Sequence, residues 1–164
     1  MSDPIIRLSR PSDINNIVSL DSKCYVYPFK MKDWQNIVEK SGRDGEPRVI
    51  MLEVLDRPVG FSMWRLGGEE KVTKILRLAV LETHRTIGLG RLLVAACHRG
   101  SALSGMDKMR LTVPDIHCCP GDPDDVSVFL SKTGFAATGE IVRDFKEMYG
   151  DPVDGYVFER EVGV

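Results

Sequence analysis

Positions 85 to 90 read Arg-Thr-Ile-Gly-Leu-Gly, set between an apolar, strand-like run from Ile75 to Val80 and a helix-like run from Leu89 to Cys97. Strand, tight turn and helix in that order restrict the local fold sharply. The first backbone N–H groups of the helix have no intrahelical partner, and the helix dipole places partial positive charge there. Two glycines let those donors approach an anion, so the stretch is built to hold a phosphate or pyrophosphate. The two commonest owners of such a loop do not match. A P-loop requires Lys and then Ser or Thr after its last glycine, whereas Arg91 and Leu92 follow Gly90. A dinucleotide turn requires a third glycine where this chain has Leu93. The same two glycines could also serve only to turn a loop tightly.

The wider string Leu76-Arg-Leu-Ala-Val-Leu-Glu-Thr-His-Arg-Thr-Ile-Gly-Leu-Gly-Arg-Leu-Leu93 resembles the cofactor motif of the GNAT N-acetyltransferases. There a strand ending in Ala-Val precedes Arg or Gln-x-x-Gly-x-Gly or Ala. A second stretch, Val126-Ser-Val-Phe-Leu-Ser-Lys-Thr-Gly-Phe135, is similar to that family's later motif, a short helix ending in Gly-Phe. Local chemistry supports a helix here: Asp122 as N-cap, Pro123 at the first helical position, Asp124 and Asp125 in the first turn, Lys132 in the last, and Gly134 as terminator.

The resemblance implies an α/β (α+β) fold with a mixed central sheet of about six to seven strands flanked by four helices, as one domain over 1–164. It implies acetyl-CoA as acyl-donor cosubstrate and transfer to a primary amine by direct attack in a ternary complex. Arg85, Thr86, Ile87, Gly88, Leu89, Gly90 and Arg91 take the pyrophosphate role, with Lys132 within reach of a phosphate. Leu78, Ala79 and Val80 line the pantetheine arm, a main-chain N–H there polarising the thioester carbonyl. The segment Asp21-Ser-Lys-Cys-Tyr-Val-Tyr-Pro-Phe29 is partly similar to the acceptor loop of protein N-terminal alanine acetyltransferases, which makes Tyr25 and Tyr27 candidates to line an acceptor groove. Packing between two helices is the alternative for that pair.

Catalytic residues do not carry over. The family tyrosine that protonates the leaving thiolate falls at Leu130, and a frequent glutamate base falls at Lys74. The acid that N-terminal acetyltransferases place on the fifth strand is Thr112 here. Asp115 and His117, in the segment after that strand, are the titratable replacements, and Cys118 or Cys119 offer a proton for the thiolate. His-Cys-Cys has no second ligand pair at metal-binding spacing, so no metal is expected. His84 suits a phosphate contact or plain solvent exposure, and His98 is expected at the surface.

Composition limits the remaining classes. The chain has 164 residues, 43% of them apolar, enough for one sizeable core. With 22 Lys and Arg against 24 Asp and Glu, a net charge of −2 supplies no long-range field for nucleic acid or an anionic membrane. Four cysteines without a disulfide pattern, and no leader-like segment over residues 1–10, lead us to expect a cytoplasmic protein, monomeric or homodimeric. The element order reads βααβββαβαββ. Three functional classes stay open: an active N-acetyltransferase, a CoA-binding module that has lost its chemistry, and an unrelated nucleotide binder.

Overall fold

A computed structural model of the chain describes residues 3–85, 87–115, 125–146 and 150–163. Its strands and helices run β1 (Ile5–Leu8), α1 (Ile14–Cys24), α2 (Met31–Lys40), β2 (Arg48–Val54), β3 (Arg57–Leu66), β4 (Val72–Val80), α3 (Leu89–Leu103), β5 (Lys108–Pro114), α4 (Val126–Lys132), β6 (Ala136–Phe145) and β7 (Val153–Glu161). This is the order read from the sequence. The strands form a seven-stranded mixed sheet, β1-β2-β3-β4-β5-β7-β6. Neighbours are antiparallel except β4 and β5, which run parallel.

Local chemistry sets several boundaries. The β2–β3 hairpin turns on Leu55-Asp56, whose φ values of 53° and 60° form the left-handed pair a two-residue hairpin needs. A turn over Pro11–Asp13 leads into α1, and in it the Asp13 carboxylate accepts the Arg10 N–H at 2.7 Å. The later helix starts at Val126 with Asp125 as its cap, accepting from Ser127 N at 2.9 Å and Ser127 Oγ at 2.7 Å. Asp122, Pro123 and Asp124 lie outside the described residues. Gly134 does terminate α4, at φ 91°.

Two apolar layers sandwich the sheet. On one face Leu89, Leu93, Val94 and Cys97 of α3 and Leu130 of α4 pack on Ile50, Trp64, Ile75 and Met109. On the other, Ile17 and Leu20 of α1 and Trp34 and Val38 of α2 cover Val49, Met51, Phe61, Met63 and Ala79. A bulge joins the two layers. Met63 faces Arg77 but Trp64 faces Ile75, so Leu76 is an extra residue on β4. Before it, Thr73 points toward α3, where its hydroxyl meets Ser101 Oγ at 2.6 Å. After it the alternation is reversed, and Arg77 points toward α1.

The sheet also opens. β4 and β5 pair only from Val72↔Lys108 to Lys74↔Arg110, while β5 stays paired with β7 as far as Pro114. Ile75–Val80 and Leu111–Pro114 therefore face each other across an unpaired wedge, whose free backbone groups need other partners.

At the edge, the Arg7 guanidinium holds Asp13 with two 2.8 Å hydrogen bonds and, with the Arg10 N–H, keeps its carboxyl below the usual carboxylate range. A depressed folded pKa stabilises above the unfolded value of about 3.9, and the benefit disappears as pH falls through the folded value. Asp13→Asn is therefore expected to lower the melting temperature near neutral pH and to match the parent in strong acid. Thermal melts over that pH range check this.

Candidate functional site

The wedge ends at the loop that precedes α3. Gly88, the N-cap of α3, has φ 89°, and a Cβ at this position would meet nothing within 4 Å, so it is glycine for its backbone conformation. Gly90 has a different reason. A Cβ there would lie 2.8 Å from the Phe129 ring, so its missing side chain seats α4 against the first turn of α3. The first helical bond of this region runs from Leu92 N to Gly88 O at 3.3 Å, which leaves the N–H groups of Leu89, Gly90 and Arg91 at the start of a 15-residue helix. The Leu89 side chain belongs to the core, so only its backbone faces the loop. Ile87 and Arg91 are exposed, and Lys132 is exposed in the last turn of α4. Arg85 Nε donates to Val80 O at 2.9 Å and ties the loop to the end of β4. His84 is half-buried, with Nδ1 at 2.9 Å from Thr83 Oγ1. Thr86 lies outside the described residues.

Along the wedge, Leu81 N bonds back to Val59 O, so Leu78 and Val80, out of phase with it, turn their backbone groups away from β3. The Leu78 N–H donates to Tyr25 Oη at 2.9 Å, and the Tyr25 hydroxyl donates to Leu78 O at 3.2 Å. Val80 O accepts from Arg85 and, at 3.6 Å, from the Cys24 thiol. Burial pushes that thiol upward, against the hydrogen bond with Arg85. Ala79 sits between these two residues with its side chain in the α1 and α2 layer. Three of the four wedge-facing groups of Leu78 and Val80 are thus held by side chains, and the fourth, the Val80 N–H, is directed into the opening.

Sequence reasoning missed the cluster that holds Tyr25 in place. Asp21 and Arg77, 0% and 1% exposed, are joined at 2.6 Å. Asp21 also accepts the Phe29 N–H at 2.8 Å and the Trp34 indole N–H at 3.0 Å, while Arg77 donates to Tyr27 O at 2.9 Å. The guanidinium lies 4.1 Å from the Tyr25 ring centre and 4.0 Å from that of Phe29. Burial pushes the Asp21 carboxyl upward, and Arg77 with the two N–H donors pulls it back. A signal was available: a charge at each of two positions where the pattern called for an apolar residue. Tyr27 is half-buried, donates to Asp151 Oδ2 at 3.1 Å and has Gly150 against its ring, which links the α1–α2 segment to the start of β7.

The replacement acid and base positions are scattered. Leu130 is fully buried in the α3 layer, Lys74 is exposed, and Thr112 is half-buried on β5. Asp115 is exposed just beyond β5, and His117, Cys118 and Cys119 lie outside the described residues. His98 is not a plain surface residue. It is half-buried, its Nδ1 has no partner among the described residues, and burial lowers its pKa, with Arg160 acting in the same direction. Among the described residues no three His, Cys, Asp or Glu side chains cluster as metal ligands, and no helix is long and apolar enough to cross a membrane.

The unpaired wedge therefore ends at a glycine-capped helix N-terminus, a place suited to an anionic group. The model of the Acetyltransferase (GNAT) family matches residues 14–117, well over half of the sequence, and the chain belongs to this family of acyltransferases. Three solved structures illustrate the shared fold. The ribosomal-protein-S18-alanine N-acetyltransferase of Escherichia coli is 14% identical with a TM-score of 0.74, over 99% of this chain and 96% of that one. Ard1 from Thermoplasma volcanium is 20% identical with a TM-score of 0.78, over 98% and 99%. A spermidine N-acetyltransferase chimera from Vibrio cholerae and hSSAT is 16% identical with a TM-score of 0.76, over 98% and 96%. No curated protein matches the sequence.

Proposed function

We propose that the chain, as one domain over 1–164, moves the acetyl group of acetyl-CoA to a primary amine by direct attack in a ternary complex. The observation that carries this reading is the unpaired wedge between β4 and β5, which ends at the N-terminus of α3. In this reading the amides of Gly88 to Arg91 hold the pyrophosphate, with Arg85, Thr86 and Ile87 shaping the loop and Lys132 at its rim. The backbone of Leu78 and Val80 pairs with the pantetheine arm, Ala79 filling the layer beneath. Tyr25 and Tyr27 stand on the acceptor side.

The acceptor is an amine of low pKa, such as a peptide N-terminus or a small aminated metabolite. β4 carries no carboxylate to take the proton of an ammonium ion: its charged residues are Lys74, where the family's frequent glutamate falls, and the ion-paired Arg77. A terminal amine with pKa about 7.7 to 8.0 is roughly 10 to 20% neutral at pH 7, against about 0.04% for a lysine side chain near 10.4. Asp115 and His117 are the remaining candidates for a base. Steady-state rates with matched amines are expected to rise as amine pKa falls. Efficient turnover of an unactivated lysine side chain by the His117→Ala variant would show that a strong base lies elsewhere. The alternative, a CoA-binding module without chemistry, is favoured by the core position of Leu130. It predicts CoA binding with no acetylated product by mass spectrometry across an amine panel.

A further inference from the structure

The proposed reaction leaves one task unassigned: a proton for the departing sulfur, since position 130 holds a core leucine. Few polar side-chain groups reach the open edge of β4 among the described residues. Arg85 does, but a guanidinium keeps its protons throughout the accessible pH range. Cys24 does, with its thiol directed at Val80 O. Tyr25 does so with two hydrogen bonds, to the N–H and the C=O of Leu78.

The hydroxyl of Tyr25 therefore stands on a backbone donor that faces the opening where the thioester must enter. Its ring has little freedom to leave. The Arg77 guanidinium lies over one face, and Arg77 is anchored by Asp21, itself fully buried and held by Phe29 and Trp34. An O–H held this way is preorganised, as a proton donor should be.

We propose that Tyr25 is the proton donor to the CoA thiolate, an inference that rests on the acetyl-transfer reading above. The neutral amine forms the N–C bond with its lone pair, and the C–S pair departs on sulfur. The Tyr25 O–H proton passes to that sulfur to give the free thiol. The new amide nitrogen loses its extra proton to water, and the phenolate is reprotonated from solvent. With the arm along β4, the Tyr25 oxygen keeps the Leu78 N–H as its donor and turns its own proton from Leu78 O to the sulfur beside it, so the ring need not move.

The test uses the full chain with acetyl-CoA, the amine panel above, and site-specific 3-fluorotyrosine at position 25, which keeps the ring and lowers the phenol pKa. Tyr25→Phe is expected to lose about 10²-fold in kcat, a typical contribution of a general acid, while calorimetric CoA affinity stays within the same order of magnitude. The fluorinated protein is expected to move the alkaline limb of the kcat profile to lower pH, and its fluorine resonance to shift when acetyl-CoA is added. Tyr27→Phe is expected to leave that limb in place. Unchanged kcat in Tyr25→Phe overturns the proposal, as does an alkaline limb that ignores fluorination. So does a Cys24→Ala variant that alone loses the limb. Wild-type protein that binds CoA but acetylates no amine overturns the acetyl-transfer reading instead.

Discussion

Arg77→Met is expected to lower the unfolding free energy by about 3 to 5 kcal/mol, the range seen when one partner of a buried ion pair is removed. Attraction within the pair is not the main reason. Asp21 is 0% exposed, and without the guanidinium its charge would stay in the core with only the Phe29 and Trp34 N–H groups to hold it. The carboxyl responds by taking up a proton, so its folded pKa rises above the unfolded value. A group with a raised folded pKa stabilises at low pH, and that help is lost as pH rises through the folded value. The deficit of Arg77→Met is therefore expected to be larger at pH 8 than at pH 5. Replacing Asp21 by Asn in the same chain should recover part of it, because no charge is then left to desolvate. Urea unfolding of the two variants and the parent at both pH values checks all three statements. Equal deficits at both pH values would mean that Asp21 keeps its proton in the parent.

Gly88→Val is expected to weaken CoA binding by roughly 10- to 100-fold, equivalent to losing about one charge-assisted hydrogen bond to the pyrophosphate. A β-branched residue is a strong outlier at the observed φ of 89°, so the turn must reshape and re-aim the first amides of α3. Stability should fall by only about 1 to 2 kcal/mol, the usual penalty for a non-glycine residue in the left-handed region. Calorimetry with CoA, alongside a melt of the free protein, separates the two effects. Full affinity with a reshaped turn would remove the pyrophosphate from this loop. Gly90→Ala acts by another route, since its Cβ would press on Phe129 and unseat α4.

The two glycines show how far local reading reaches. Spacing alone marked both as backbone openings for an anion. The need of Gly88 for a left-handed φ is a property of three consecutive residues and so was legible. The reason for Gly90 lies 39 positions away on α4, between residues 90 and 129, and no window around the loop contains it. Tyr25 followed the same course. Its neighbourhood suggested an acceptor loop, but its hydrogen bonds to Leu78 span 53 positions.

By itself the sequence determined the order of strands and helices, the family, and the glycine-capped turn before α3, because apolar period, capping residues and turn chemistry act within a few residues. The tertiary structure decided the bulge at Leu76, the wedge between β4 and β5, and the union of Asp21 with Arg77 across 56 positions. Each depends on the register between strands distant in sequence. One extra residue in β4 turns Arg77 from one layer of the core to the other, and the buried carboxylate of α1 is there to receive it.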